Sequence, residues 1–267
     1  MSLLQAIVLG IVQGLTEFLP VSSSAHLALV PWAFGWQDPG LAFDVALHVG
    51  TLLAVLWFFS DEWLRLIRSA LSIVTTRNVD TPEKRRVLFL IVATIPGGIA
   101  GLVLEKYAES YFRSPTLIAV VLIALGVILW LVDKVTPQVR SMDEMTWGQA
   151  IALGVAQCFA LVPGVSRSGS TITAGRALGF NRESAAVFSF LMSMPITAGA
   201  ALKEVPKALH QHGLSAELLV GVLASAVSGW LAITVLLRFV SRHSYGVFAA
   251  YRVLLGIAVL VLVFTRG

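Results

Sequence analysis

The residues best suited to chemistry lie in one short segment near the start of the chain, LTEFLPVSSSAHLAL at residues 15–29. It contains a carboxylate at Glu17, the helix-breaking Pro20, three consecutive serines and His26. Hydroxyl groups are common nucleophiles, and carboxylate or imidazole groups activate them by taking their proton. Ser23, activated by Glu17 or His26, is therefore our first candidate for a nucleophile. Alternatively, the serines only cap a helix and His26 is a hydrogen-bonded core histidine.

A second segment, PGVSRSGST at residues 163–171, supplies a cation and further hydroxyls. The planar guanidinium of Arg167 matches the geometry of a phosphate group, and helix N-termini present unpaired N–H groups to anions. Alternatively, Arg167 forms only a structural ion pair with Glu17. The two serine clusters together predict a site for a phosphate-type anion, with these binding residues: Ser22, Ser24, Ser166, Arg167, Ser168 and Thr171.

The elements that position these residues are predicted to be membrane helices. Hydrophobic residues make up 57% of the chain and charged residues 13%, whereas a soluble domain usually carries about 25% charged residues. Six stretches approach the roughly 20 apolar residues that cross a bilayer: 41–59, 88–104, 116–132, 184–202, 216–237 and 245–264. We therefore expect an all-α integral membrane protein with six transmembrane helices, in contact with membrane lipids and with no nucleic-acid partner.

Two further apolar stretches are each interrupted near the middle. Residues 3–34 are broken at Pro20 and residues 147–179 at Pro163-Gly164. Each half is too short to span a bilayer untilted. We therefore expect two re-entrant helical hairpins, which are tolerated where protein or water surrounds the open backbone.

The two interrupted stretches also resemble each other in sequence. LGIVQGLTEFLPVSSSAH begins at Leu9 and LGVAQCFALVPGVSRSGS begins at Leu153. Three candidate spans follow each copy. Because three is an odd number, the second copy must be inverted in the membrane. The sequence thus predicts a single membrane domain, 1–267, built from two inverted-topology repeats at about 1–135 and 145–267.

Basic residues are divided unequally between the two membrane faces, twelve against five. Cytoplasmic loops are enriched in Lys and Arg, so the richer face is predicted to be cytoplasmic and the first hairpin to enter from outside. The longest connection on that face, 61–87, is expected to be a solvated cytoplasmic loop next to anionic lipid. The richer face carries Arg65, Arg68, Arg77, Lys84, Arg85, Arg86, Lys134, Arg140, Arg176, Arg182, Arg238 and Arg242, and the other Lys106, Arg113, Lys203, Lys207 and Arg266.

Three other polar residues lie inside predicted spans. Asp44 and His48 are one helical turn apart and could line the same cavity as the two serine clusters. Arg252 lies about two turns into the last span, where it could touch a substrate, although we expect a structural ion pair.

At this point the two motifs indicate a family. QGLTEFLPVSSSAH resembles the first motif of the bacterial undecaprenyl-diphosphate phosphatases, the bacitracin-resistance family, and PGVSRSGST resembles the second. The likeness extends over nearly the whole chain. The resemblance implies an enzyme of the bacterial inner membrane that hydrolyses undecaprenyl diphosphate to undecaprenyl phosphate and inorganic phosphate. Such an enzyme recycles the lipid carrier for peptidoglycan synthesis and gives bacitracin resistance.

The resemblance further implies a divalent cation, Mg²⁺ or Ca²⁺, and a homodimer. Some family members have a glutamate where this chain has Gln13, so Glu17 is the only carboxylate of the first motif and the candidate metal ligand. Three mechanisms stay open: attack by Ser23, a phospho-intermediate on His26, and attack by water on a metal bound to Glu17. The motif residues carried over are Glu17, Ser23, His26, Ser166, Arg167, Ser168 and Thr171.

A different class of function also fits the pattern. Inverted repeats with broken helices are a transporter architecture, so a lipid-carrier flippase or anion transporter is the alternative. In either case a polyprenyl tail prefers lipid, whereas a diphosphate needs a polar pocket. Because the first hairpin is predicted to enter from outside, we expect that pocket to open to the periplasmic or extracellular face.

Overall fold

The computed structural model describes residues 1–110, 114–213 and 215–266, and its regular structure there is helical. Two short 3₁₀ helices, Met142–Glu144 and Phe159–Leu161, join longer elements. The α-helices are α1 (Leu3–Phe18), α2 (Ser23–Phe34), α3 (Leu41–Phe58), α4 (Ser60–Thr76), α5 (Pro82–Ser110), α6 (Pro115–Val135), α7 (Trp147–Cys158), α8 (Arg167–Ala177), α9 (Arg182–His212), α10 (Ala216–Val240) and α11 (Gly246–Arg266).

Six of these helices are long and apolar enough to cross a membrane, which confirms the predicted all-α membrane fold and its span count. They are α3, α5, α6, α9, α10 and α11. Large apolar side chains point outward from them, among them Leu102, Leu202, Leu254 and Phe264. Such surfaces are unusual on soluble monomers and suit a lipid surrounding.

The two interrupted stretches each form a pair of short helices, α1 with α2 and α7 with α8. Helix α1 packs on α10, and α7 packs on α5. Glycine allows both approaches: a Cβ on Gly10 would lie 2.3 Å from the carbonyl oxygen of Gly221, and one on Gly154 would lie 2.6 Å from that of Ala93. The matched Leu-Gly pairs therefore occupy equivalent close contacts.

The first hairpin is anchored beside the candidate chemistry by an apolar cluster of α3, α9 and α10. Phe18, which directly follows Glu17, meets Phe190 of α9 edge-to-face at a centroid separation of 5.2 Å. Ala54 and Ile233 belong to the same buried cluster. Burial of this kind holds the end of α1 in one position.

The expectation of a solvated loop over 61–87 was wrong for most of that segment, because α4 occupies Ser60–Thr76. Its apolar side chains recur at the three- and four-residue spacing of a helix, at Leu64, Ile67, Leu71 and Val74. The charged residues between them hide this pattern from a search for continuous apolar runs.

One basic residue of the charge count is buried inside the protein. Arg176 is fully buried, and its Nε donates to Asp133 Oδ1 at 2.8 Å. Arg182 donates to the same carboxylate at 2.9 Å, and the Tyr245 backbone N–H does so at 3.0 Å. Asp133 thus joins α6, α8, α9 and the residue that directly precedes α11. The side chains of Lys106, Arg113 and Arg266 lie outside the described part of the chain.

Candidate active site

Both helix breaks are followed by a serine that caps the next helix, as the sequence predicts. The hydroxyl of Ser22 accepts the backbone N–H of Ala25, and that of Ser166 accepts the N–H of Gly169 at 3.0 Å. Both caps have positive φ, 75° at Ser22 and 71° at Ser166, a conformation that costs a non-glycine residue about 1–3 kcal/mol. The surrounding packing therefore imposes this shape twice.

The two breaks meet in the folded protein. The backbone N–H of Gly164 donates to Ser22 Oγ at 3.2 Å, and Ser168 Oγ donates to the carbonyl of Leu19 at 3.0 Å. These bonds join segments more than 140 residues apart in the chain. The N-termini of α2 and α8 therefore lie together, as the anion-site prediction requires.

Arg252 of α11 ties the breaks together further. Its guanidinium donates to the Pro20 carbonyl at 3.2 Å, to the Gly164 carbonyl at 2.7 Å and to the Val165 carbonyl at 3.1 Å. The expected ion pair is wrong, because the hydrogen bonds of this buried cation go to backbone carbonyls in the described structure. Bare carbonyls at a helix break need donors, and Arg252 supplies them.

Glu17 lies at the centre of the candidate site and is buried. One carboxylate oxygen pairs with Arg167 Nη2. The other accepts the hydroxyl of Ser23 at 2.5 Å and the amide of Gln13 at 3.1 Å. His48 Nε2 lies 3.4 Å from that same oxygen. Since these neighbours are all donors, the arrangement suits the ionised carboxylate.

Ser23 and Glu17 have the geometry of a nucleophile and its base. Among the described residues, Glu17 is the only hydrogen-bond partner of Ser23 Oγ. A separation of 2.5 Å is at the short end for an O–H···O⁻ bond and allows direct proton transfer. Ser23 is also the first residue of α2, where the helix dipole favours negative charge.

Arg167 is the first residue of α8, and its side chain is mostly buried. Besides Glu17 it donates to the Ser189 carbonyl of α9 at 3.3 Å. Its own backbone carbonyl accepts the hydroxyl of Thr171 at 2.8 Å. A diphosphate that binds the guanidinium fork therefore competes with Glu17 for Arg167.

His26 makes a different set of contacts from Glu17 and Ser23. Its Nδ1 lies 2.7 Å from the Ser22 carbonyl, and its Nε2 lies 2.7 Å from the hydroxyl of Tyr251 on α11. The imidazole also stacks on the Tyr251 ring, with 5.7 Å between centroids. The carbonyl assigns the proton to Nδ1, so Nε2 is the acceptor of the Tyr251 hydroxyl. His26 is three residues after Ser23, which places both on one side of α2.

Each remaining hydroxyl of the predicted site also lies close to another hydroxyl. Ser24 lies 3.3 Å from Ser22, Ser168 lies 3.2 Å from Ser166, and Thr171 lies 2.7 Å from Ser189. The bonds within 22–24 and 166–168 have the same geometry after both helix breaks. Capping accounts for Ser22 and Ser166; anion binding by the set stays a prediction.

A narrow gap, too small to hold a water molecule, lies against Glu17 and Arg167. Hydroxyl side chains from α3 and α9 line it, namely Thr51, Ser193 and Thr197. Asp44 and His48 were candidates for lining such a space, and neither is among its lining residues. His48 Nε2 nevertheless reaches Glu17, and its Nδ1 lies 2.7 Å from the Asp44 carbonyl. Both His48 nitrogens thus face oxygen acceptors, which suits the doubly protonated ring.

Sequence reasoning missed Tyr251 and the α3 and α9 hydroxyls. The sequence offered one indication for Tyr251, which directly precedes Arg252, a charged residue inside a predicted span. Thr51 and Ser193 had none, because single hydroxyl residues are common in membrane helices and usually bond their own backbone. Their side chains do so here, to His48 and Phe190.

The described residues do not fit a preformed metal site. They contain no group of three His, Cys, Asp or Glu side chains placed to hold an ion. The only motif carboxylate, Glu17, has N–H or O–H donors against both oxygens. Mg²⁺ and Ca²⁺ take six or more oxygen ligands, and one carboxylate supplies too few to hold either ion by itself.

Comparison with known proteins gives the family. Residues 6–258 match the family described as BacA, bacitracin resistance protein BacA. The chain belongs to this family. Three curated relatives are each named undecaprenyl-diphosphatase. That of Gemmatimonas aurantiaca is 63% identical over 97% of both chains, that of Desulforudis audaxviator 50% over 98% of both, and that of Pelotomaculum thermopropionicum 48% over 100% of this chain and 98% of the relative.

Proposed function

We propose that this protein hydrolyses undecaprenyl diphosphate to undecaprenyl phosphate and inorganic phosphate. Its family, and relatives named undecaprenyl-diphosphatase along the full length of the chain, support this substrate. The observation that carries the chemistry is the hydrogen bond from Ser23 to Glu17, on a carboxylate that also pairs with Arg167. Recycling of the lipid carrier for peptidoglycan synthesis and resistance to bacitracin follow from this reaction.

In the first step, Ser23 Oγ attacks the terminal phosphorus of the diphosphate. Glu17 takes the hydroxyl proton, the P–O bond to the bridging oxygen breaks, and undecaprenyl phosphate leaves. Arg167 and the N-termini of α2 and α8 balance the charge on the phosphoryl oxygens. Arg167 exchanges part of its bond with Glu17 for phosphate, which frees the carboxylate to act as a base.

In the second step, water attacks the phosphoserine and releases inorganic phosphate. Glu17 returns its proton to Ser23 Oγ as the ester bond breaks. His26, on the same side of α2 as Ser23, takes the water proton on Nε2 once the Tyr251 hydroxyl has moved off that nitrogen, and the proton then leaves with the inorganic phosphate. Direct attack by His26 has less support, because both of its ring nitrogens are hydrogen-bonded to other groups.

We propose that a divalent cation, Mg²⁺ or Ca²⁺, arrives with the diphosphate rather than in a resident site. The phosphate oxygens would then supply most of its ligands, as they do in many Mg²⁺ sites. When bound, such an ion adds positive charge at the phosphoryl oxygens. Glu17 remains the candidate protein ligand, and it would have to give up one of its hydrogen-bond donors to bind the ion.

We propose a location in the bacterial inner membrane, with both helix pairs re-entrant and related by an inverted repeat, and with the site open to the periplasmic or extracellular side. The equivalent contacts of Gly10 and Gly154 and the equivalent caps at Ser22 and Ser166 support the repeat. The surplus of basic residues on the opposite face supports the orientation. A homodimer is proposed from the family resemblance alone.

Transport of a lipid carrier or an anion is the alternative function. The meeting of two broken helices at one place favours it. Transport needs anion binding but no activated hydroxyl, so the Ser23–Glu17 bond distinguishes the two functions. A transporter loses little when Ser23 is replaced, whereas the phosphatase loses its chemistry.

The test is phosphate release from undecaprenyl diphosphate by the purified protein in detergent, with and without EDTA. We expect release that stops with EDTA and returns with Mg²⁺ or Ca²⁺. Ser23→Ala should lose most of this activity, and Ser241→Ala, an exposed serine at the end of α10, should keep it. Absence of release under every metal condition would refute the phosphatase. Full turnover by Ser23→Ala would refute serine as the nucleophile.

A further inference from the structure

Helix α4 (Ser60–Thr76) joins two membrane spans but is not itself among the six apolar spans. Helix α3 ends at Phe58, and the chain turns at Phe59 directly into α4. Arg77, which directly follows α4, adopts a left-handed conformation with φ 52°, and α5 begins at Pro82. Because one span ends and the next begins on the same membrane face, α4 is tethered to that face at both ends.

Three different faces run along α4. At about 100° per residue, each face takes about a third of the circumference. The first face carries Leu66, which is buried against Phe89 and Leu90 of α5. The second is apolar but exposed: Leu64 51%, Ile67 54%, Leu71 63% and Val74 76%. The third is polar and includes Arg65, Ser72 and Thr76.

A helix surrounded by water or by protein alone needs two faces, one apolar and one polar. A separate, exposed apolar face beside a polar face needs a second apolar environment. Helices that lie in the plane of a membrane surface have this pattern, with the apolar side in the acyl boundary and basic side chains toward the headgroups. We propose that α4 lies in the bilayer interface, with Leu64, Ile67, Leu71 and Val74 in contact with acyl chains.

Tryptophans mark the membrane surface at the same end of the molecule. Trp57 is 71% exposed one residue before the end of α3, and Trp147 is 50% exposed at the start of α7. Trp147 contacts Phe89 near the start of α5, which places these helix ends together. Exposed tryptophans concentrate at headgroup level. Helix α4 therefore begins at the depth where an interfacial helix belongs.

Charge complementarity favours anionic lipid over a second copy of the chain. Arg68 and Arg77 are exposed, and neither has a carboxylate partner among the described residues. The spacing of the apolar stripe would also suit a helix-to-helix seam. An antiparallel or parallel copy would, however, bring arginines of both helices to one seam, whereas anionic headgroups attract each of them by about 1 kcal/mol.

The experiment uses the full chain with Cys158→Ser, which removes the single native cysteine. Leu71→Cys on the apolar stripe and Thr76→Cys on the polar face are each labelled with bimane. Val74→Cys is a second stripe position in case the label at 71 disturbs folding. An unchanged Tm and a single elution peak show that each variant is folded. The proteins are placed in phosphatidylcholine vesicles with and without phosphatidylglycerol.

We expect lipids brominated near the headgroup end of the acyl chain to quench bimane at 71 and 74 severalfold more than at 76. Aqueous iodide should show the reverse order. Arg68→Gln with Arg77→Gln should weaken the lipid quenching in phosphatidylglycerol vesicles. Equal iodide quenching at 71 and 76 would overturn the proposal, and so would a disulfide between two copies through Leu71→Cys. This inference does not rest on the proposed phosphatase activity.

Discussion

Replacing Glu17 by Gln tests the centre of the proposed mechanism with little change in shape. The amide keeps the size of the side chain but cannot take the Ser23 proton. Because Glu17 is the only partner of Ser23 Oγ among the described residues, a second base is not at hand. General base catalysis contributes about 10²–10⁴-fold, so we expect kcat to fall by that factor, or about 2.7–5.4 kcal/mol in activation free energy.

The assay is phosphate release by purified Glu17→Gln, Ser23→Ala and the double variant. If Glu17 acts through Ser23, the double variant should be about as slow as the slower single variant, because residues that act as a unit do not lose activity additively. Multiplied losses would refute this pairing and favour water as the nucleophile. A small loss in Glu17→Gln would also contradict it.

A folding control separates chemistry from stability in this experiment. Removing one partner of a buried ion pair leaves Arg167 uncompensated and costs about 3–5 kcal/mol when burial is complete. Thermal unfolding in detergent measures this loss directly. Thr16→Val, one residue from Glu17 on α1, removes a hydroxyl that bonds the Val12 carbonyl and should leave kcat near that of the parent.

Three further variants test other parts of the structure. Arg167→Lys should lower kcat/KM at least about tenfold, since a point charge replaces the fork that serves Glu17 and phosphate; turnover equal to the parent would contradict this. Asp133→Asn should destabilise the fold by about 3–5 kcal/mol, seen as a lower Tm, because two arginines lose their carboxylate; an unchanged Tm would show that the network is dispensable. Gly10→Ala should destabilise by about 1–3 kcal/mol through its clash with the Gly221 carbonyl, whereas Gly98→Ala, which meets open space, should not; equal Tm values for the two would argue against close packing of α1 on α10.

The sequence alone determined the features that depend on neighbouring residues. The runs of apolar residues predict all six spans, and most span ends agree with the structure to within a few residues. Proline followed by serine set the two helix breaks and their caps, since capping is a contact between residues three apart. The matched segments at Leu9 and Leu153 predict two related halves, and that repeat stays a prediction.

Features that join distant parts of the chain were decided by the tertiary structure. Several contacts of the site link residues from different helices. They are the contact of Tyr251 with His26, that of His48 with Glu17, and those of Arg252 with both helix breaks. Nothing in the local sequence specifies these contacts, because they depend on how the helices rotate and cross. Arg176 shows the same limit: its charge suggested a membrane face, and only packing against Asp133 shows it to be buried.

Helix α4 lies between these two cases. Its apolar spacing was present in the sequence, but its charges concealed it from a search for continuous apolar runs. The sequence determined which residues are polar and apolar along the chain. The packing of α4 on α5 decided which of its apolar residues are buried and which remain exposed, because one helix face can contact only one neighbour.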